Sequence, residues 1–317
     1  MARLKRIGKL GWIAISLAVL AAALFGAWRY AMATNPVAVL DTADRLLGGS
    51  GGARLALTDG RYGPLPAQRV EVMVPDEPSA APRGVLVFIH GGSWNSGNPG
   101  NYHFIGRTFA REGFVVVLAG YRLGQDGAFP HMLEDSAKAV AWVNANIARY
   151  GGDPGQVVLM GHSAGAYNVV MLALERQWLG REGLPDNYLK GVVGLSGPYD
   201  FYPWTSDATR AAFGHVAEPA QTQPITFARG DAPPLLLITG DQDTTVKPRN
   251  TLALTRKIGD LGGRVRGLVL PGIDHVGTVT RLAAPFRRDR RVLDAVLPFL
   301  KGPEVHPASA PVQAEKQ

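Results

Sequence analysis

A serine framed by glycines lies in the stretch VVLMGHSAGAYNVV, at residues 157–170. Val157 to Met160 form the apolar run of a buried strand, and residues 164–175 have the composition and spacing of a helix. A chain passes this abruptly from strand to helix only if the corner residue takes a strained backbone conformation, for which small neighbours make room. This geometry would present the hydroxyl of Ser163 as a nucleophile.

A serine hydroxyl needs a base that takes its proton and a further group that orients this base. In α/β hydrolases, whose nucleophile turn this stretch resembles, the acid follows a later strand and the base follows the last one. Of the three histidines after Ser163, His275 lies where the last predicted strand ends, in PGIDHVG. His215 lies in a predicted cap, before the later turns that carry acids, and His306 lies in a polar tail. His275 is therefore the candidate base.

The candidate acid lies in GDQDTTV, after the strand that precedes the last one. We predict Asp243, because the strand and the turn at Gly240 lead to it. Asp241 in the same turn is the alternative, and its other role would be to form the turn through its side chain. Asp200, which follows the preceding strand, is a more distant alternative.

Acyl transfer also requires N–H donors for the oxyanion, and glycines let the main chain approach the substrate. One predicted donor is the amide of Ala164, at a helix N-terminus that favours negative charge. The loop HGGSWNSGN, residues 90–98, follows an early strand. We predict the amides of Gly92 and Ser93 as the other donors. Trp94 in this loop either lines the acyl pocket or plugs the space beneath the loop.

Two histidines beside these residues have structural interpretations. His162 precedes the nucleophile, and we predict that it packs behind the turn rather than acting as a second base. His90 opens the glycine loop and is predicted to fix it through hydrogen bonds.

The elements that must position these residues alternate along the chain. Buried apolar strands alternate with amphipathic helices, which predicts a mostly parallel sheet with helices on both faces. Residues 201–233 interrupt this alternation and are rich in proline, aromatic and polar residues. We predict a small cap there, above the carboxyl ends of the strands, with one short helix near Ala208 to Phe213.

The motifs HGGSW, GHSAGA, GDQDTTV and GIDHVG together resemble the HGG-loop branch of the α/β-hydrolase superfamily. This branch holds carboxylesterases and hormone-sensitive-lipase-like esterases, and the chain is similar to its acetyl/feruloyl esterases and kynurenine-formamidase-like proteins over residues 55–300. The resemblance implies an α/β-hydrolase fold with Ser163 as nucleophile, Asp243 as acid and His275 as base. Ser93 departs from the pattern, since a third glycine often stands there.

These features predict a serine hydrolase of small-molecule carboxylic esters that needs no cofactor. Short acyl chains are favoured because the cap is small and no long apolar tunnel is evident. An amidase, arylformamidase or peptidase would use the same three residues, and an inactive hydrolase-fold binding protein is the non-enzymatic alternative. No metal is expected, because no spaced cluster of His, Asp and Glu is seen, and no phosphate-binding loop indicates a nucleotide.

The N-terminal segment, residues 1–33, predicts membrane targeting. Basic residues precede an uncharged run from Leu10 to Trp28, which as a helix would span about 28 Å, close to the hydrocarbon thickness of a bilayer. An uncleaved anchor and a signal peptide cleaved after AMA at residues 31–33 both fit this pattern. Because a basic flank stays in the cytoplasm, either would place the catalytic domain outside the cytoplasm, exported across or anchored in the bacterial inner membrane.

We predict four parts in the chain. Residues 1–33 are the signal peptide or anchor, and residues 34–54, which contain LLGGSGG, are a flexible linker. The hydrolase domain extends over residues 55–301, and residues 302–317 form a disordered tail.

The composition limits the classes of partner and chemistry. The 317 residues carry a formal charge of +7, and five of the cationic residues lie within residues 1–33, which contain no acid. Neither a basic stripe nor a recognition motif is present, so nucleic-acid binding is not expected. The chain has no cysteine, which excludes disulfides and thiolate chemistry. Its oligomeric state stays open.

Overall fold

The computed structural model describes residues 8–49 and 51–302. The predicted tail lies outside this range except for Gly302. In the described part, eight strands and ten α-helices follow one another in this order: α1 Lys9–Thr34, α2 Pro36–Gly48, β1 Ala53–Arg61, β2 Arg69–Pro75, β3 Arg83–Ile89, α3 His103–Arg111, β4 Val115–Ala119, α4 His131–Asn146, β5 Gly152–His162, α5 Ala164–Leu174, α6 Gln177–Arg181, β6 Leu189–Leu195, α7 Asp207–Phe213, β7 Leu235–Gly240, α8 Arg249–Asp260, β8 Val265–Leu270, α9 Gly277–Thr280 and α10 Arg291–Lys301.

The eight strands form a single sheet in the order β1-β2-β4-β3-β5-β6-β7-β8. The pairs β1–β2 and β2–β4 are antiparallel, and every pair from β4 across to β8 is parallel. The mostly parallel sheet predicted from the apolar runs is therefore confirmed. Such a sheet is buried on both faces, which explains why its central strands are continuously apolar.

The register brings the carboxyl ends of the parallel strands to one edge of the sheet. Ile89 at the end of β3 pairs with Gly161 in β5, and Leu195 at the end of β6 pairs with both His162 and Ile238. Gly240 at the end of β7 pairs with Leu270 at the end of β8. We call this side the carboxyl edge. The loops that carry the candidate site residues all leave the sheet there.

The core has one apolar cluster on each face of the sheet. Because successive side chains of a strand point to opposite faces, Val87 lies in the cluster beneath α4, α5 and α8, and Phe88 lies in the cluster beneath α3 and α10. Every residue of α5 is buried. This burial explains why the helix after the candidate nucleophile has no polar face, and each large apolar side chain buried there contributes about 1.5–3 kcal/mol.

The structure agrees with the prediction for the cap helix and differs from the prediction for the linker. The short helix predicted near Ala208 to Phe213 is confirmed as α7. The flexible linker predicted over residues 34–54 is wrong, because α2 and the start of β1 occupy most of this segment. Pro36 opens α2, and the Asn35 side chain accepts a hydrogen bond from the amide of Ala38 at 3.1 Å.

Two carboxylates fix α2 to the rest of the folded domain. Asp44, only 1% exposed, accepts hydrogen bonds from Arg107 Nε at 2.7 Å and from the Ala284 amide at 2.6 Å. Asp41 accepts from Arg107 Nη2 and from the Phe104 amide, both at 2.6 Å. The helix is thus part of the folded domain, and the glycines after it form only a short turn.

The first helix is apolar and projects from the domain. Residues Ile15–Thr34 of α1 have a mean hydropathy of 1.5, and none of this stretch is buried. Its length and composition are those of a membrane span. The predicted apolar N-terminal helix is confirmed, and the choice between anchor and cleaved signal stays a prediction.

Candidate active site

Ser163 lies at a strained corner between β5 and α5. Its backbone has φ 54° and ψ −118°, a conformation that costs a non-glycine residue about 1–3 kcal/mol. A Cβ on Gly161 would lie 2.3 Å from the carbonyl oxygen of Gly165, and a Cβ on Gly165 would lie 2.0 Å from that of Ile89. Only glycine fits at either position. The spacing G-x-S-x-G is therefore a steric requirement of this turn.

His275 contacts both of its predicted partners. Its Nε2 lies 2.9 Å from Ser163 Oγ, and its Nδ1 lies 2.8 Å from Asp243 Oδ2. A carboxylate accepts only, so we assign the Nδ1 proton to the bond with Asp243. This tautomer leaves the Nε2 lone pair to accept the hydroxyl proton of Ser163. The structure thus brings together the predicted nucleophile, base and acid, which come from the loops after β5, β8 and β7.

Asp243 is buried and held ionised by its hydrogen bonds. Burial acts to raise the pKa of Asp243, but the hydrogen bonds from His275 and from the Val246 amide outweigh it and lower the pKa. The amides of Thr245 and Val246 donate to Oδ1 at 3.0 and 2.8 Å. The carboxylate is therefore charged at neutral pH and fixed with Oδ2 toward the imidazole.

The two alternative acids have other partners. Asp241 is exposed, and its Oδ1 accepts a hydrogen bond from the Gly272 amide at 2.7 Å, which ties the turns after β7 and β8 together. Asp200 donates its amide to Asn250 Oδ1 at 2.9 Å. Among the described residues, neither carboxylate contacts His275. The geometry favours Asp243.

His162 contacts the main chain of the predicted base, His275. Its Nε2 lies 3.0 Å from the carbonyl oxygen of His275 and must donate a proton to it. Burial, together with the neighbouring charge of His275, lowers the pKa of His162 to about 4, so the ring is neutral at pH 7. The residue does pack behind the nucleophile turn, as predicted, but it also positions His275. A single sequence carries no signal for a contact that runs through a carbonyl.

His90 supports the glycine loop. Its Nδ1 lies 2.8 Å from the carbonyl oxygen of Gly91, and its ring stacks against Tyr121 at 4.7 Å between centroids. Tyr121 also donates its hydroxyl to the carbonyl oxygen of His90 at 3.1 Å. Burial lowers the pKa of His90 to about 4. These contacts agree with the predicted role of fixing the loop.

The loop after β3 presents its amides beside the nucleophile. Gly92, Ser93 and Trp94 all have positive φ, at 121°, 54° and 57°. A Cβ on Gly91 would lie 3.1 Å from Ser163 Cβ, so the loop lies directly against the nucleophile turn. In residues 8–49 and 51–302, the amides of Gly92, Ser93 and Ala164 donate to no protein acceptor.

Trp94 both fills the space beneath the glycine loop and borders the cleft, which are the two roles predicted for it. It is 4% exposed, and its Nε1 donates to Asn168 Oδ1 at 3.2 Å. Its ring packs against Tyr167 and Phe213 at centroid distances of 5.3 and 4.8 Å. The side chain fills the space beneath the loop, and its edge also lines the cleft described next.

A cleft of about 510 Å³ opens over Ser163. Its walls are the glycine loop, the nucleophile turn, cap residues 201–209 and the loop at residues 244–250. The volume suits a small-molecule ligand. Phe201 and Pro203 supply apolar wall on the cap side, whereas the rest is rich in threonine and serine. Across the part of the chain that the structure describes, no cluster of three or more His, Asp or Glu could hold a metal ion.

The architecture and the strand order define an α/β hydrolase, and solved structures agree. A truncated carbohydrate esterase from gut microbiota superposes with a TM-score of 0.67 at 20% identity, over 78% of this chain and 97% of that one. Esterase B from Lactobacillus rhamnosis gives a TM-score of 0.67 at 19% identity, over 90% and 94% of the two chains. The predicted α/β-hydrolase fold is confirmed.

The family is defined by sequence. The model of the BD-FAE family matches residues 70–258, more than half of the chain, and the chain belongs to this family. Esterase LipC of Mycobacterium tuberculosis is 29% identical over 68% of this chain and 58% of its own length. A probable isoprenylcysteine alpha-carbonyl methylesterase of Oryza sativa subsp. japonica is 34% identical over 44% of this chain and 34% of its own. The chain thus spans less than two thirds of the length of either relative.

Proposed function

We propose that the chain is a serine esterase that hydrolyses carboxylic esters through an acyl-enzyme. One observation carries this proposal: His275 lies within hydrogen-bond distance of Ser163 Oγ at 2.9 Å and of Asp243 Oδ2 at 2.8 Å. Membership of the BD-FAE family and the esterases among the relatives support it. The three side chains act as nucleophile, base and acid in the sense that acyl transfer requires.

The first half-reaction acylates the enzyme. His275 Nε2 accepts the proton of Ser163 as Oγ forms a bond to the ester carbonyl carbon, whose π electrons move onto oxygen. The amides of Gly92, Ser93 and Ala164 donate to this oxyanion. The C–O bond to the alcohol then breaks, and the alcohol leaves with the proton from His275.

The second half-reaction restores the enzyme. Water gives a proton to His275 Nε2 as its oxygen attacks the acyl carbon, and the same amides hold the second oxyanion. The bond to Ser163 breaks, Oγ recovers its proton from His275, and the carboxylic acid leaves. Asp243 stays ionised throughout and stabilises the imidazolium.

The amides are already oriented before substrate arrives, and this accounts for a large part of the expected rate. One preorganised oxyanion donor contributes about 10²–10³ to kcat in comparable enzymes. The positive φ angles of Gly92 and Ser93 are consistent with this role, because they turn the loop while the amides of these two residues donate to no acceptor among the described residues. Loop strain of about 1–3 kcal/mol per residue is tolerated at functional sites for this reason.

For the substrate we propose esters with short acyl chains. The cleft of about 510 Å³ is bounded by a cap with a single short helix, α7. Phe201 and Trp94 border its inner wall, and they leave room for a small acyl group beside Ser163. Esters of longer acids would have to extend past the cap toward solvent.

We also propose an arrangement in the cell. The domain, from α2 to the end of α10, lies outside the cytoplasm of a bacterium, and α1 anchors it in the inner membrane. The support is the exposed apolar stretch Ile15–Thr34 and the basic residues that precede it in the sequence.

A direct assay tests the esterase function. The purified chain and its Ser163→Ala variant are compared on p-nitrophenyl acetate, butyrate and octanoate and on a formanilide. We expect turnover of the acetate and butyrate that disappears in the variant, with octanoate and the formanilide slower. Equal rates in the two proteins, or none in either, would refute the esterase proposal. Faster cleavage of the formanilide than of the esters would instead assign an amidase.

A further inference from the structure

The apolar helix α1 joins the domain at the carboxyl edge of the sheet. Asn35, the single residue between α1 and α2, accepts a hydrogen bond from Asn101 Nδ2 at 3.2 Å. Asn101 lies in the short turn Pro99–Tyr102, which directly follows the loop at residues 90–98 and precedes α3. That loop leaves the end of β3 and lies against Ser163. The junction of the two helices is therefore on the same side of the domain as the cleft.

The direction of α2 agrees with this placement. Midway along α2, Asp41 accepts a hydrogen bond from the amide of Phe104 in the first turn of α3. Just past its end, the carbonyl oxygen of Gly49 accepts one from Arg111, the last residue of α3, at 2.5 Å. Helices α2 and α3 thus run side by side, both from the carboxyl edge toward the opposite edge of the sheet. The chain that precedes α2 must leave the domain at the carboxyl edge.

The connection leaves little freedom between α1 and the domain. Arg107 of α3 pairs with both Asp41 and Asp44 of α2, at 2.6 and 2.7 Å, so α2 could detach only by breaking both ion pairs. Only Asn35 separates the two helices, so no flexible spacer intervenes. Each described side chain of α1 is exposed except that of Ala31, which is half-buried. The helix therefore extends outward rather than folding back along the domain.

We propose that the domain sits on the membrane with its carboxyl edge toward the bilayer, so that the cleft receives esters carried in or on the membrane. This inference rests on the proposed esterase function and on α1 being an uncleaved anchor. The occupant of this surface is a lipid bilayer, since α1 has the length and composition of a membrane span and joins the domain at this edge.

The charge at the cleft fits an anionic lipid surface. Lys247 and Arg249 are exposed and line the cleft. Within the described residues, no carboxylate lies within 4 Å of either cation. The nearby acid of the cap, Asp207, is paired with Arg210 at 2.6 Å. Each uncompensated cation near an anionic leaflet is attracted to it.

The orientation can be measured without reference to activity. The chain has no cysteine, so Thr205→Cys and Asn187→Cys each give a single labelling site. The first lies in the cap beyond the carboxyl end of β6, and the second lies just before its amino end, roughly 20 Å away along the strand.

The full chain is placed in lipid nanodiscs of phosphatidylcholine and phosphatidylglycerol with an acceptor dye on the headgroups. We expect higher energy transfer from residue 205 than from residue 187. Equal or reversed transfer would overturn the proposal.

A kinetic comparison tests the consequence for substrate. The probe is one acetate ester of a fluorophore, used either free in solution or attached through its ring to a phospholipid in the nanodisc. The variant carries about 20 Gly and Ser residues between Thr34 and Asn35, which leaves α2 docked and adds roughly 25 Å of reach. We expect the unmodified chain to favour the lipid-attached ester over the free one, and the insertion to reduce this preference at least about threefold.

The outcomes separate the two proposals. Hydrolysis of the free ester at the same rate by both proteins shows that the insertion leaves the site intact. An unchanged preference between the two esters then overturns the membrane orientation while the esterase function stands. If neither protein hydrolyses the free ester, the esterase proposal fails, and the energy-transfer measurement still decides the orientation.

Discussion

His162 donates from Nε2 to the carbonyl oxygen of His275 at 3.0 Å, so the residue before the proposed nucleophile holds the main chain of the proposed base. The two rings lie 5.1 Å apart between centroids. Because His275 sits in a loop after β8 rather than within an element, its ring position depends on such contacts. A short hydrogen bond to each of Ser163 and Asp243 requires the loop to be fixed to within a few tenths of an ångström.

Replacing His162 with Ala therefore lowers kcat more than it changes KM. We expect a loss of about 10- to 100-fold in kcat, since misplacement of a catalytic group by about 1 Å has effects of this size. His162→Gln retains an N–H donor and should recover part of the rate. A steady-state comparison of the two variants on p-nitrophenyl acetate checks this. If His162→Ala kept full kcat, the contact would have no positioning role.

The two buried histidines make the fold sensitive to acid. Burial lowers the pKa values of His90 and His162 from 6.5 to about 4. Between pH 6.5 and 4 the unfolded chain binds more protons than the folded chain does. The free energy of unfolding therefore falls as the pH falls through this range, by up to about 1.4 kcal/mol per pH unit for each histidine. Urea unfolding at several pH values measures the slope.

A matched pair of variants assigns this slope to its source. His162→Gln removes one of the two buried imidazoles and should reduce the dependence on pH by about half. His131→Gln changes an exposed histidine at the start of α4 and should leave the slope as it is. A slope that is the same in all three proteins would mean that other groups control the acid sensitivity.

Asp243 and Asp241 stand two positions apart but contact different partners, His275 and Gly272. Replacing each in turn tests which of them acts as the acid. Asp243→Asn removes the charge that holds Nδ1–H of His275, and we expect kcat to fall by about 10³–10⁴. Asp241→Asn alters an exposed turn bonded to Gly272, and we expect kcat within about threefold of the parent. Measuring kcat of the two variants at pH 8 decides which aspartate acts as the acid. A larger loss in Asp241→Asn would transfer the acid role to that residue.

The strands and the candidate site could be predicted because their signals are local. The apolar runs that end at His90, His162 and Gly240 mark strands whose carboxyl ends meet at one edge, and the chemistry lies in the few residues after each run. In the sequence, only position along the turn favours Asp243 over Asp241. The structure adds the reason, since the amides of Thr245 and Val246 hold its carboxylate toward His275.

The docking of α2 could not be predicted because its signals are distant. The partners of Asp41 and Asp44 lie on α3 and near Ala284, more than sixty positions away. Locally, the segment shows only a helix-compatible run followed by glycines, which is equally typical of a linker. The main-chain contact of His162 with His275 is equally hidden, because any residue at position 275 would offer the same carbonyl.

The glycines of the nucleophile turn provide a test of stability. Gly165→Ala places a Cβ 2.0 Å from the carbonyl oxygen of Ile89, and backbone must move to admit it. We expect a loss of about 1–3 kcal/mol in the free energy of unfolding. Gly180→Ala in α6 is the control, since nothing lies within 4 Å of its added Cβ, and it should stabilise by up to about 1 kcal/mol. Equal effects of the two changes in urea unfolding would contradict the steric argument.

Arg107 is expected to be among the most sensitive charged residues of the domain. Its removal in Arg107→Ala leaves Asp44 buried with no cation beside it, and losing one partner of a buried pair destabilises by about 3–5 kcal/mol. Arg45→Ala, on the exposed side of α2, should change stability by no more than about 0.5 kcal/mol. For the same reason, a chain that begins at Asn35 should unfold at a higher urea concentration than one that begins at Gly52, which lacks α2 and keeps all of β1. If the two shortened chains unfold at the same urea concentration, α2 contributes nothing to the domain.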